Sequence, residues 1–175
     1  MKKYNLSFNV FVLMFCLLIA GCAIDKAGTG RIITGPAAKD LAEYINQGIL
    51  RIAELERRSL ESYASVIGEN YTTDERVYEE LKDFIIPTYK RFLDELKNIR
   101  PENEEVKELH GIYIRGAELI YEGFKTKMMG IENNDEGIII MGNEKIETGR
   151  DEIERWNLER IELYKKHGVA QVEDE

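Results

Sequence analysis

Four stretches of the chain repeat apolar residues every three or four positions, and short turn signals separate the stretches. In the first stretch the repeat consists of Leu41, Ile45, Ile49, Ile52, Leu60, Tyr63 and Ile67. Glu56 interrupts this seam. Such spacing places apolar side chains on one face of an α-helix. The chain has only 3 prolines, which permits long helices. No alternating polar and apolar run of useful length competes, so the sequence predicts an all-α fold.

Turn-forming and capping residues mark the ends of the predicted helices. Pro36 suits the first turn of the first helix, and Pro101 suits that of the third. Before the second helix, Thr72 and Glu75 are typical of a capping box, in which both side chains cover free backbone amides. Residues 132–135 (ENND) break the third stripe. Gly168 follows the last turn of the fourth helix, where glycine commonly ends helices.

Four helices of similar length joined by short turns predict an antiparallel up-down-up-down four-helix bundle over residues 36–168. At ~1.5 Å per residue each helix is ~40–45 Å long. Pro87 removes one helical hydrogen bond, so we expect a kink between Asp83 and Pro87. If the kinked helix packed on one neighbour only, three long helices would be the alternative. Residues 169–175 are expected to form a disordered tail.

The first 21 residues have the pattern of an export signal. Two lysines precede the apolar run VFVLMFCLLIA at positions 10–20. This run is shorter than the ~20 residues of a membrane span. The following Ile19-Ala20-Gly21-Cys22 resembles the lipobox of bacterial lipoproteins. The resemblance implies that residues 1–21 are a signal peptide, that cleavage falls between Gly21 and Cys22, and that Cys22 receives the lipid.

A lipobox implies an address as well as a modification. In that family diacylglycerol is attached to the thiol and the new amino group is usually acylated, typically with palmitate, and two or more chains give stable anchoring. We therefore expect attachment to the cell membrane or the outer membrane, facing the periplasm or the exterior, with residues 22–35 as a flexible tether. The alternative is a plain secretory signal or an uncleaved anchor in which Cys22 is incidental. If the chain is cleaved before Cys22 as the lipobox implies, Cys16 belongs to the segment that is removed.

Net charge restricts the classes of partner. The whole chain has a formal charge of −9, and removal of the segment containing Lys2 and Lys3 makes it −11. Such a surface repels phosphate backbones, so no nucleic-acid partner is expected. It also argues against electrostatic attachment to anionic lipids. Membrane attachment is therefore expected to come from the lipid on Cys22.

The sequence shows no familiar set of catalytic or metal-binding residues. Metal sites in helical bundles pair Glu with His three residues later, and neither His110 nor His167 has such a Glu. We expect His110 at the surface or its boundary and His167 as a cation at a helix end. Residues 132–143 faintly resemble a calcium loop but end in Asn143, where Glu is needed. The sequence therefore predicts no catalytic residue, no metal ligand and no cofactor, and leaves ligand-binding residues unknown.

Two further patterns have both a structural and a functional interpretation. Glycines recur every seven residues at Gly116, Gly123, Gly130 and Gly137, and again at Gly142 and Gly149. They could form a groove for a ligand or partner helix, but we favour the view that facing aromatic side chains such as Trp156 need room. Four tyrosines could form a contact surface or be ordinary boundary residues. These are Tyr44, Tyr71, Tyr89 and Tyr121.

Residues 101–124 and 149–169 resemble helical segments of small secreted proteins and lipoproteins of bacteria, which generally lack an assigned function. The resemblance implies a helical envelope protein and transfers no active site. The leading hypothesis is a lipid-anchored, non-enzymatic interaction module of the cell envelope with a protein partner. A carrier of a small ligand or metal in the bundle interior and an enzyme of unrecognised type are the alternatives.

Overall fold

The computed structural model describes residues 35–169, which are helical apart from short connections and contain no strand. The predicted signal peptide, the Cys22 lipidation site and the tether as far as residue 34 lie outside the described residues. So do residues 170–175 of the predicted tail. Val169, the first residue of that tail, is buried, and its N–H donates to the Tyr164 carbonyl oxygen at 3.0 Å.

Four long helical segments make up the described chain. The first (residues 36–64) joins α1 (Pro36–Glu43) and α2 (Leu50–Ala64) through a π-helical turn at Tyr44–Ile49. A 3₁₀ turn at Gly68–Asn70 follows. The second segment (residues 74–98) joins α3 (Asp74–Glu80) and α4 (Ile86–Asn98) through a π-helical turn at Leu81–Ile85. The others are α5 (Glu104–Glu132) and α6 (Glu136–His167).

The predicted apolar seams form the core. In the first segment every seam residue from Leu41 to Tyr63 is buried. The second segment packs on both the first segment and α5, so the three-helix alternative is wrong. Glu56, which interrupts the first seam in sequence, is buried like its apolar neighbours, with only 1% of its surface exposed. The helical period therefore continues through this carboxyl group, and polarity alone made it look like a break.

Where the sequence predicted a kink, the structure has a π-helical turn immediately before Pro87. Pro87 lies in the first turn of α4, directly after the turn at Leu81–Ile85. Proline has no N–H, so the carbonyl group one turn earlier loses its usual partner. Bonding across five residues accommodates this mismatch without ending the helix. The Ile86 N–H accordingly donates to the Leu81 carbonyl oxygen.

The N-terminus of α3 is capped one residue later than the sequence indicated. Thr73, not Thr72, is the N-cap, and its side chain accepts a hydrogen bond from the Arg76 N–H at 3.3 Å. The Thr72–Glu75 capping box is therefore wrong. We expect Thr73→Ala to lower the free energy of unfolding by about 1 kcal/mol, because this amide loses its acceptor. Thr72→Ala should be nearly neutral in the same urea denaturation, and equal losses would contradict the assignment.

Helices α5 and α6 contact each other through glycines. A Cβ atom on Gly116 would lie 2.9 Å from the Gly149 carbonyl oxygen, and one on Gly123 would lie 2.8 Å from that of Gly142. One on Gly130 would lie 2.6 Å from the Ile139 nitrogen. Positions that rise along α5 meet positions that fall along α6, so this pair is antiparallel. The glycines thus admit a neighbouring backbone, and the expectation that aromatic rings fill the space is wrong.

Gly137 does not belong to this contact. It lies in the first turn of α6, where the nearest atom to an added Cβ would be Oδ1 of Asp135 at 3.2 Å. Asp135 is the N-cap of α6. At the other end of α6, Gly168 has the left-handed φ of 66° expected of a glycine that ends a helix. Within residues 35–169, no helix combines the length and apolarity needed to span a membrane.

Candidate functional site

A groove of about 630 Å³ lies between the first helical segment and the C-terminal end of α4 with the connection that follows. Its first wall is one face of the helical segment, since the lining residues recur every three or four positions. This wall consists of Asp40, Glu43, Tyr44, Gln47, Gly48, Arg51, Ile52 and Leu55. The opposite wall consists of Glu95, Asn98, Ile99, Arg100, Pro101 and Glu102.

The π-helical turn and a glycine shape the floor of the groove. The turn spans Tyr44–Ile49 and so includes the central part of the first wall. Within it, a Cβ atom on Gly48 would lie only 3.1 Å from the side chain of Ile99. The two walls therefore meet at this glycine, and the side chains of Ile52, Leu55 and Ile99 form the apolar part of the lining. Single π-helical turns inside α-helices are frequent at functional sites.

Hydrogen bonds fix one end of the groove in place. The Asp40 carboxylate accepts from the backbone N–H of Glu102 at 3.1 Å and from that of Asn103 at 2.8 Å. Arg100 donates to the carbonyl oxygens of Lys97 and Ile99, which lie at the end of α4. The connection between α4 and α5 is thereby held to α1 and to the end of α4. This end of the groove is therefore preformed.

Several polar side chains in the groove have no partner within the described chain. Elsewhere on the surface some charges pair along a helix, as Arg57 does with Glu54 and Glu61, and others, such as Glu144 and Glu154, have no partner within residues 35–169. In the groove no hydrogen bond or ion pair within residues 35–169 involves the side chains of Gln47, Arg51, Glu95, Asn98 and Glu102. These groups are solvated and available to a bound molecule.

Tyr44 connects the groove to the interior. Its hydroxyl group accepts a hydrogen bond from Trp156 Nε1 at 3.2 Å and lies 3.4 Å from His110 Nδ1. Burial lowers the pKa of His110 to about 4, and repulsion from Arg100 adds to this effect. His110 is therefore a neutral core residue at ordinary pH. The expectation that it lies at the surface is wrong, because Tyr44 provides the polar contact that makes its burial tolerable.

Two other ionisable side chains lie inside the protein. Glu56 accepts a hydrogen bond from the Tyr113 hydroxyl group at 2.5 Å. Burial raises the pKa of Glu56 to about 8, although the hydroxyl groups of Tyr113 and Tyr89 lower it. Burial likewise lowers the pKa of Lys127 to about 8, and its Nζ donates to the Tyr63 hydroxyl group at 2.8 Å. Neither Glu56 nor Lys127 lines the groove.

Among residues 35–169 no three His, Cys, Asp or Glu side chains are grouped so that they could hold a metal ion. Residues 136–143, the second half of the calcium-like pattern, are helical. His167 contacts Oε2 of Glu105 at 3.0 Å, which ties the end of α6 to the start of α5. Cys22 and Gly21 lie outside the described residues.

The four tyrosines do not form a common surface. Tyr44 and Tyr89 are buried, Tyr121 is half-buried, and Tyr71 is exposed. Among the residues that line the groove, sequence reasoning had singled out only Tyr44 as a candidate contact residue. The one signal that could have indicated the others is that Asp40, Glu43, Gln47 and Arg51 fall on one helix face beside the apolar seam.

No protein-family model matches this chain, and no curated protein or solved structure matches it either.

Proposed function

We propose that this chain is a lipid-anchored protein of the bacterial cell envelope that acts as a non-enzymatic interaction module. The preformed groove with unpaired polar side chains is the observation that supports it, because such a surface suits recognition. The lipobox-like Ile19-Ala20-Gly21-Cys22 supports the anchor. The membrane, either the cell membrane or the outer membrane, would be reached through the lipid on Cys22, with the domain facing the periplasm or the exterior.

The proposed domain is an up-down-up-down four-helix bundle. The antiparallel contact between α5 and α6 and the packing of the second segment on both the first segment and α5 are compatible with it. In this arrangement the groove begins near the end of the bundle where the chain enters α1 and extends past the middle of the first segment. A tether of residues 22–35 spans at most ~45 Å when extended. A partner in the groove would therefore be bound close to the membrane surface.

Cys22→Ala is expected to abolish lipidation and membrane attachment. Cells fed a palmitate analogue should label the unaltered chain, which should sediment with membranes. The variant should remain unlabelled and keep the mass of the uncleaved precursor. Cys16→Ala is the matched control, since Cys16 belongs to the segment that cleavage removes, and it should leave labelling unchanged. Labelling that survives Cys22→Ala would refute the proposed anchor.

The interaction role is tested separately from the anchor. A photo-crosslinking residue at Gln47 should join the chain to one partner of defined size in intact cells, whereas one at Glu147 on the exposed side of α6 should not. If the purified protein instead turned over a substrate in a screen of envelope hydrolase activities, the non-enzymatic proposal would fail.

The carrier hypothesis has less support than the interaction module. It placed a ligand in the bundle interior beside the glycines, but atoms of the opposing helix occupy that space at Gly116, Gly123, Gly142 and Gly149.

A further inference from the structure

We infer that the groove binds an extended polypeptide segment with alternating apolar and basic side chains. This inference rests on the proposed interaction role and specifies its partner. Three features of the lining combine here. They are the apolar side chains of Ile52, Leu55 and Ile99, the unpaired amide side chains of Gln47 and Asn98, and the acidic side chains of Glu95 and Glu102. Each feature matches one part of such a peptide: its apolar side chains, its main chain and its basic side chains.

The length of the groove suits an extended segment. Its first wall runs from Asp40 to Leu55, which is ~22 Å at 1.5 Å per helical residue. An extended chain rises ~3.3 Å per residue, so six or seven residues would fill this length. Alternate side chains of such a segment point in opposite directions. One set would face Ile52, Leu55 and Ile99, and the other would reach the acidic side chains of Glu95 and Glu102.

Main-chain recognition needs donors and acceptors that the protein itself does not use. Gln47 on the first wall and Asn98 on the second each carry an amide with an acceptor oxygen and two N–H donors. Within residues 35–169 neither side chain has a hydrogen-bond partner. A peptide main chain lying between them could donate to and accept from both walls, whereas a protonated aliphatic amine offers donors but no acceptor.

Charge favours a basic partner. The lining includes the acids Asp40, Glu43, Glu95 and Glu102 and the bases Arg51 and Arg100. Asp40 and Arg100 are engaged with the backbone, and Glu43 lies 3.6 Å from Lys39. Glu95 and Glu102 are free within the described chain, and the single free base, Arg51, lies on the opposite wall. Lysine side chains of a partner would thus gain two carboxylates.

The test uses the full chain in a neutral detergent and titrates an acetylated, amidated hexapeptide of alternating valine and lysine. Calorimetry should detect binding that weakens as salt is added. A hexapeptide of alternating valine and glutamate should bind at least tenfold more weakly. Trp156, the single tryptophan, bonds to Tyr44 in the groove wall, so its emission should change during the titration.

Substitutions locate the binding. Glu95→Gln combined with Glu102→Gln should weaken the lysine peptide about tenfold, and Gln47→Ala with Asn98→Ala should weaken it about fivefold. Arg51→Gln should strengthen it about twofold, a gain that misfolding cannot produce. Glu144→Gln combined with Glu154→Gln, which also removes two negative charges but from the exposed side of α6, is the matched control.

Four results would overturn the inference. They are absence of binding at millimolar peptide, an equal loss with the Glu144→Gln and Glu154→Gln control, equally tight binding of spermidine, and a groove occupied by a second copy as shown by a dimer in light scattering. Peptide binding to the groove does not depend on Cys22. These measurements would therefore still test the inference if the proposed anchor failed.

Discussion

Replacing Gly123 or Gly149 by alanine should lower the free energy of unfolding by about 2–4 kcal/mol. A Cβ on Gly123 would lie 2.8 Å from the Gly142 carbonyl oxygen, and one on Gly149 would lie 2.6 Å from the Gly116 carbonyl oxygen. Backbone atoms cannot rotate away as a side chain can, so α5 and α6 must separate and lose contacts along the pair. Urea denaturation followed by far-UV circular dichroism measures this loss of stability. The melting temperature should fall by roughly 10 °C.

Gly111→Ala is the matched control for these substitutions. Gly111 also lies inside α5, but the nearest atom to its added Cβ would be a guanidinium nitrogen of Arg115 at 3.5 Å, an ordinary contact. Alanine is favoured over glycine inside a helix by about 1 kcal/mol, so this variant should be more stable than the unaltered chain. If all three variants changed stability alike, helix propensity rather than close packing would explain the glycines.

The glycines show what the sequence reveals and what it leaves open. Their seven-residue spacing places Gly116, Gly123 and Gly130 on one face of α5, and this could be read directly. The sequence could not show what packs against that face, because aromatic rings and a helix backbone would both require glycine there. Only the antiparallel register with α6 decides between them, and register depends on how distant residues pack.

Polar residues on apolar seams were misjudged for a related reason. Leu41, Ile45 and Ile49 are buried as their spacing predicts. Glu56 and His110 follow the same helical period, but a polar side chain is normally assigned to the surface. Each is buried beside a tyrosine hydroxyl group from another helical segment, Tyr113 for Glu56 and Tyr44 for His110. Such a partner, 57 or 66 residues distant, is invisible to local periodicity.

The groove lay beyond sequence reasoning because neither wall is a site alone. Residues 40–55 present an ordinary amphipathic helix face, and residues 95–102 are a helix end with a proline-containing turn. Acids near bases at helical spacing are typical of a solvated helix face, as in the contacts of Arg155 with Glu152 and Glu159. The unpaired set at Arg51, Glu95 and Glu102 is recognised only when the two walls are seen together.

Glu56→Gln should make stability much less dependent on pH between about 5 and 8. Glu56 has a pKa of about 8 in the folded protein because it is buried, against ~4.3 in an unfolded chain. Between these values the unfolded state loses the proton while the folded state keeps it. As pH rises, Glu56 therefore lowers the free energy of unfolding of the unaltered chain by about 1.4 kcal/mol per pH unit. This decrease levels off above the pKa of the folded state.

Glutamine is the appropriate replacement because it matches the neutral carboxyl group in shape and can still accept from Tyr113. The groups that face Glu56 are Tyr113 of α5 and Tyr89 of α4, and the pKa of each is raised by burial and by Glu56. Neither hydroxyl group therefore ionises in this range. Within residues 35–169 no basic side chain forms an ion pair with Glu56, so the charged form has no compensation.

The decisive quantity is the difference in unfolding free energy between the Glu56→Gln variant and the unaltered chain at each pH. Both chains share every other titrating group, including the exposed carboxylates and His167, so their contributions cancel. The difference should grow in favour of glutamine from pH 5 to pH 8, by several kcal/mol in total. Glu69→Gln, on the exposed 3₁₀ turn, should give a difference that is flat with pH. A flat difference for Glu56→Gln as well would mean that this carboxyl group ionises normally and that the core tolerates its charge.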